Sequence, residues 1–262
     1  MANTKTQPRD NDVKTTEKLI RLIGIFSVYV VLLAILYCTL PPLKADEYEK
    51  VMKIPKSLSQ VRVTAQVLSR YTSNYYYRVA FMVWALYLFL QTFSVPGTIF
   101  LNVLCGAVFG LTTAFIMTVA AGTLGASSAY FMSSLLGFKS VVEKFVPTKL
   151  QFFRDQISSH KENLFFYLLF LRISPMLPNW FINIASPVLN IPFSYFFLAT
   201  LIGISPQTFI AVNTGVYINE LVEEEGGNPL LNYKTISLLF AIATMALLPI
   251  FLKRYFVKSK VE

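Results

Sequence analysis

The chain is poor in the residues that carry catalysis. It has one histidine, His160, and two cysteines, Cys38 and Cys105. One imidazole excludes a histidine-built metal centre. Both cysteines sit in apolar runs, where a thiol packs as a small hydrophobe and a structural disulfide is not expected. There is no Walker-type loop, no GxSxG and no HExxH. Without a nucleotide site, any transport is downhill or coupled to an ion gradient. Asn-x-Ser/Thr acceptors are absent as well. Charge is also scarce, at 14% of residues against about 25% in a soluble domain.

Hydrophobicity fills the space that charge leaves. Apolar residues make up 55% of the 262, and several runs approach the roughly 20 residues that cross about 30 Å of hydrocarbon. The expected fold is an all-α polytopic membrane protein. The net charge of +9 is spread over the tails and connectors, which suits anionic lipid headgroups and not nucleic acid.

Residues 1–18 read as a polar, cytosolic N-terminal tail. The run 19–40 is too long and too far from the start for a signal peptide, so a retained first transmembrane helix is expected. Residues 41–74 form a basic connector after Pro41-Pro42. The core is expected over 75–217, with two interrupted hairpins at about 79–110 and 163–190 and an amphipathic connector at 139–162. An acidic loop (218–233), a last transmembrane helix (234–252) and a basic cytosolic tail (253–262) follow. Counting the hairpins as re-entrant leaves about four full spans and puts both termini on one side. The positive-inside tendency makes that side cytosolic, although it leaves the basic 41–74 segment on the far side.

The two interruptions stand out. LRISPMLPNWFINIASPVLNIP (171–192) is apolar, yet it carries Arg172, Asn179, Asn183 and four prolines. A charge at mid-bilayer costs roughly 2.5–3.5 kcal/mol on insertion scales. Broken backbone at that depth belongs where it is buried in protein or lines a wet cavity. Turns are expected at Pro175, Pro178 and Pro187, and in the other half at Pro96 and Gly97, with Asn102 just beyond. Paired interrupted segments point to a site at a repeat interface. Arg172 either attracts a phosphate or braces the loop by donating to carbonyls freed by Pro175 and Pro178. Gly106, Gly110, Gly122 and Gly125 read as helix-packing positions. Acidic and basic residues of the connector (Glu143, Arg154, Asp155, Glu162) read as a solvated face, or as partners for Arg172. Lys258 and Lys260, fifth and third from the end, match the dilysine form of an endoplasmic reticulum retrieval signal.

Three stretches, FSVPGTIFLNVLCGAVFG, GTLGASSAYFMSSLLG and RISPMLPNWFINIASPVLNIP, resemble the DedA superfamily, also called VTT proteins, in its eukaryotic transmembrane protein 41 branch. The resemblance spans about residues 75–215. It implies an inverted-repeat architecture with two re-entrant hairpins facing each other, in the endoplasmic reticulum membrane. The implied activity is energy-independent phospholipid scrambling that supports autophagosome formation and lipid mobilisation, with no chemical step and no cofactor. Implied partners are phosphatidylserine, phosphatidylcholine, phosphatidylethanolamine and cholesterol, with lipid-transfer or autophagy proteins. Thr98 stands where bacterial members carry Glu, and Pro178 where they carry a second Arg, so proton coupling is not implied. The expected substrate path runs along Asn102, Arg172, Asn179 and Asn183. The alternatives are an ion-coupled transporter or ion channel using the same cavity, and a membrane adaptor working through its tails.

Overall fold

The computed structural model describes residues 7–40, 47, 58–174 and 177–223. Pro175, the 234–252 span and the Lys258 and Lys260 signal lie outside them. Helices run α1 (Gln7–Thr39), α2 (Leu58–Thr92), α3 (Thr98–Phe109), α4 (Leu111–Leu136), α5 (Lys139–Phe145), α6 (Pro147–Ser159), α7 (Leu164–Ile173), α8 (Asn179–Val188), α9 (Phe193–Gly203) and α10 (Ser205–Glu223). A 3₁₀ turn, Lys161–Asn163, joins α6 to α7. Among the described residues no strand occurs, and the protein is an all-α membrane protein. Among the described residues three stretches are long and apolar enough to cross a membrane: Thr16–Thr39, Leu111–Leu136 and Phe193–Tyr217.

The breaks have local causes. Tyr75 leaves helical geometry (φ −135°, ψ 39°) and kinks α2 where its polar half meets its apolar half. Pro96 and Gly97 separate α2 from α3. Gly97 at φ +126° adopts a backbone that a side chain opposes. Pro147 begins α6, while Pro178 and Pro192 immediately precede α8 and α9. Each of these prolines stands where no intrahelical donor is lost. Pro187 lies inside α8, near its end, and its carbonyl accepts from the Asn190 N–H at 3.1 Å in the turn that follows.

α1 lies on the outside, with large exposed apolar side chains such as Val28 and Ile20. It runs antiparallel to α2. Arg78 Nη1 donates to the Thr39 carbonyl at 3.1 Å, while Phe26 and Tyr29 pack on Phe89 and Phe93. Tyr29 also hydrogen-bonds Thr92 at 3.3 Å. At 1.5 Å per residue, Tyr29 is about 15 Å from the Thr39 end of the span and Phe26 about 15 Å from the Thr16 end. The chain therefore reverses between α2 and α3 level with the middle of a spanning helix.

α4 is the ruler for both hairpins. Tyr87 and Gln91 of α2 lie against Gly122 and Gly125, so the first hairpin reaches the middle of α4 from its Leu111 end. The second hairpin comes from the other end. Tyr130 Oη donates to the Ile191 carbonyl and Ser133 Oγ to the Ile184 carbonyl, both at 2.7 Å. Phe193 and Phe196 stack on Tyr130. The α9–α10 span then runs antiparallel to α4, through Ile204 at Gly122 to Phe209 at Phe115. α3 packs chiefly on α10 and α8 on α4. The short limb of each half thus rests on the long helix of the other.

Candidate functional site at the hairpin tips

Most hydroxyls in these apolar helices satisfy themselves. Thr118, Ser127, Ser186 and Thr200 each donate to the carbonyl four residues back, at 2.6–2.8 Å. That local bond is how a hydroxyl lives without water. Five buried side-chain atoms do not manage it among the described residues: Ser94 Oγ, Asn102 Oδ1, Thr123 Oγ1, Ser174 Oγ and Asn183 Nδ2. All five are at the two hairpin tips, one turn beyond them, or on the stretch of α4 that the tips reach. An unpaired buried polar atom costs roughly 1–3 kcal/mol, so their concentration marks a place that water or polar ligands satisfy.

The second tip is built around Arg172. It ends α7, is 3% exposed, and lies under the Phe196 ring with its guanidinium carbon 4.9 Å from the centroid. Its Nη2 donates to Asn183 Oδ1 at 2.8 Å and its Nη1 to Asn179 Oδ1 at 3.4 Å. These bonds use two of five donors and no negative charge. Among the described residues the one buried carboxylate is Glu47, which pairs with Arg70 at 2.7 Å at the other end of α2. The connector carboxylates do not pair with Arg172 either. Glu143 meets Arg154 at 3.8 Å, and Asp155 accepts from Gln151 at 2.8 Å. Among the described residues the guanidinium therefore meets two neutral amide oxygens and no carboxylate.

The first tip is neutral. Ser94 sits in left-handed backbone (φ +58°), and Thr98 and Asn102 neighbour the buried Tyr87 phenol. The four expected path residues form two groups, Asn102 in one and Arg172, Asn179 and Asn183 in the other. Of the expected packing glycines, Gly106 touches Val212 backbone, Gly122 touches Ile204 and Tyr87, and Gly125 touches Gln91. Gly110 has open space where a Cβ would be and φ +74°; it makes the reversal from α3 into α4 and is no helix contact. Cys38 and Cys105 are free. Among the described residues no cluster could hold a metal ion.

Residues 95–217, from the first tip to α10, match the VTT domain family. Transmembrane protein 41B of Danio rerio is 36% identical over 88% of this chain and 80% of its own length. Transmembrane protein 41B of Mus musculus is 34% identical over 93% and 82%. The chain belongs to the transmembrane protein 41 branch of the DedA/VTT superfamily. An uncharacterised membrane protein of Arabidopsis thaliana is 40% identical to this transmembrane protein 41 relative, over 87% of this chain and 78% of its own. No solved structure matches.

Several residues of this VTT site escaped sequence reading. Tyr87 resembled one more aromatic in an apolar limb. Gly203 and Ile204, which touch the Arg172 stem and Gly122, sat inside an unremarkable span. Gly215, pressed on the Val103 backbone, had its signal in Ala211 four residues earlier, a small-xxx-small pair that went unread.

Proposed function

We propose that this protein is a passive phospholipid scramblase of the endoplasmic reticulum membrane. Five unpaired polar atoms collected where two interrupted hairpins reverse are the observation that carries this reading. A headgroup crossing the bilayer loses its water, and each polar contact lowers that cost. Arg172 supplies a positive charge for the phosphate, held loosely enough by two neutral amides to release it. Thr98, Asn102 and Ser94 supply neutral contacts on the first hairpin. Acyl tails stay in lipid beside the short limbs, so the path is a groove and not a pore. The hairpins enter the membrane as re-entrant loops from opposite faces.

Support for a lipid over an ion comes from the charges. Proton relays at membrane depth are built from carboxylates or histidines, and the described tips offer none. The dilysine tail, the retrieval address and the service to autophagosome formation and lipid mobilisation belong to the same proposal. They fit a protein that relaxes leaflet imbalance where lipid is delivered to one side, alongside lipid-transfer proteins.

The test uses purified protein in liposomes with fluorescent phosphatidylserine, phosphatidylcholine or phosphatidylethanolamine in both leaflets, without ATP or ion gradient. Dithionite bleaches beyond the outer leaflet if the proposal holds. Bleaching that stops where empty vesicles stop refutes it.

A further inference from the structure

Among the described residues the side-chain hydrogen bonds at the tips run within each polar group and none joins the two. Between them stands the step from α9 to α10, the consecutive residues Gly203 and Ile204. Gly203 has no side chain because the Arg172 stem lies on it, with Arg172 Cγ 3.2 Å from where a Cβ would be. Ile204 turns the other way. Its Cδ1 is 2.9 Å from the position of a Gly122 Cβ, and the Tyr87 hydroxyl is 3.6 Å from the same point. Ile204 is 6% exposed. Thus one isoleucyl methyl fills the notch of Gly122 directly beside the phenol of the first group, while its neighbour backs the guanidinium of the second.

Unpaired atoms lie on both sides of this plug. Ser174 Oγ and Asn183 Nδ2 belong to the Arg172 side, Asn102 Oδ1 to the Tyr87 side, and Thr123 Oγ1 adjoins Gly122 itself. The plug is also seated on a weak point of its helix. Ser205 Oγ donates to the Leu201 carbonyl at 2.6 Å, and Pro206 has no amide hydrogen for the Ile202 carbonyl. Helices interrupted in this way bend there.

We propose that Ile204, seated in the Gly122 notch, is an apolar gate that separates the cationic half of the lipid path from the neutral half. The proposal rests on the scramblase reading and adds the residue that sets its rate. Movement of Ile204 out of the notch joins the two groups into one wet strip along which a phosphate headgroup passes. The closed notch keeps water from linking the two sides.

The prediction is reciprocal. In the liposome assay, Ile204→Ala empties the notch and speeds lipid exchange severalfold. Gly122→Ala puts a methyl where the Ile204 Cδ1 sits, unseats the isoleucine and speeds exchange as well. The double variant, which exchanges a large filler for a small one, returns close to the wild-type rate. Ile204→Val gives a smaller rise in the same direction and serves if the alanine variant does not fold. A second readout needs no lipid movement. Cys105 is fully buried one turn past Asn102, and it reacts with a methanethiosulfonate reagent only when water reaches it. In a Cys38→Ser background, Ile204→Ala and Gly122→Ala each accelerate that labelling. Folded Ile204 variants that leave both lipid exchange and Cys105 labelling unchanged overturn the gate, as does a double variant as fast as Ile204→Ala. Wild-type protein that moves no lipid defeats the scramblase reading on its own, and Cys105 labelling then decides whether Ile204 bars water.

Discussion

Arg172 Nη2 donates to Asn183 Oδ1 at 2.8 Å across the second hairpin. The bond ties the end of α7 to α8 and holds a charge where no described carboxylate meets it. Under the proposed function, bracing and headgroup attraction are therefore two uses of one group. The two asparagines hold the fork, and the scramblase proposal assigns its charge to a phosphate.

These uses separate on substitution. Arg172→Ala removes both, lowering stability by about 1–3 kcal/mol through the unpaired asparagine oxygens and slowing lipid exchange. Arg172→Lys keeps the charge but cannot reach two acceptors as a planar fork. It melts below wild type in detergent yet retains most of the exchange rate. A lysine variant as stable as wild type and as slow as the alanine variant would contradict the assignment.

Thr123 gives the opposite pair of signs. Its hydroxyl is buried without a described partner, so Thr123→Val removes a desolvated group at nearly constant shape. The protein gains about 1 kcal/mol, read as a higher melting temperature, and lipid exchange slows because the strip loses a polar contact. A valine variant that melts lower would show that the hydroxyl has a partner.

α3 and α10 meet through Gly106 and Gly215, whose bare faces lie on the Val212 and Val103 backbones. Backbone cannot move aside as a side-chain end can. Gly215→Ala overpacks this crossing by about 1–3 kcal/mol or more. Monodisperse protein falls in size-exclusion chromatography, whereas Gly24→Ala, on the open face of α1, leaves it unchanged.

What sequence could show was local. Val95-Pro96-Gly97 announced a break because proline and glycine in an apolar run have few other uses, and α4 was visible from its length. Arg172, Asn179 and Asn183 were visible as polar residues at depth. Their union was not, because the bonds cross the Ser174–Pro178 reversal, whose geometry no residue spacing states. Gly110 resembled half of a GxxxG pair, and only its positive φ reveals a reversal. Pro187 read as another breaker, and α8 does end one residue after it: proline has no N–H for the Asn183 carbonyl four residues back, and its own carbonyl accepts from Asn190 in the closing turn. Tyr87 and Ile204 were illegible for one reason: apolar residues declare their partners only after the helices are packed.

Both hairpins reversing against the middle of α4 from opposite ends is the relationship on which the lipid path depends. Sidedness of thiol labelling tests it most directly. Single cysteines at Arg78 and Phe109, at the mouth of the first hairpin, and at Leu164 and Val188, at the mouth of the second, are placed in a Cys38→Ser, Cys105→Ser background. A membrane-impermeant maleimide is then applied to sealed, oriented vesicles. The account predicts that the first pair labels from one face and the second pair from the other. All four labelling from the same face would contradict it.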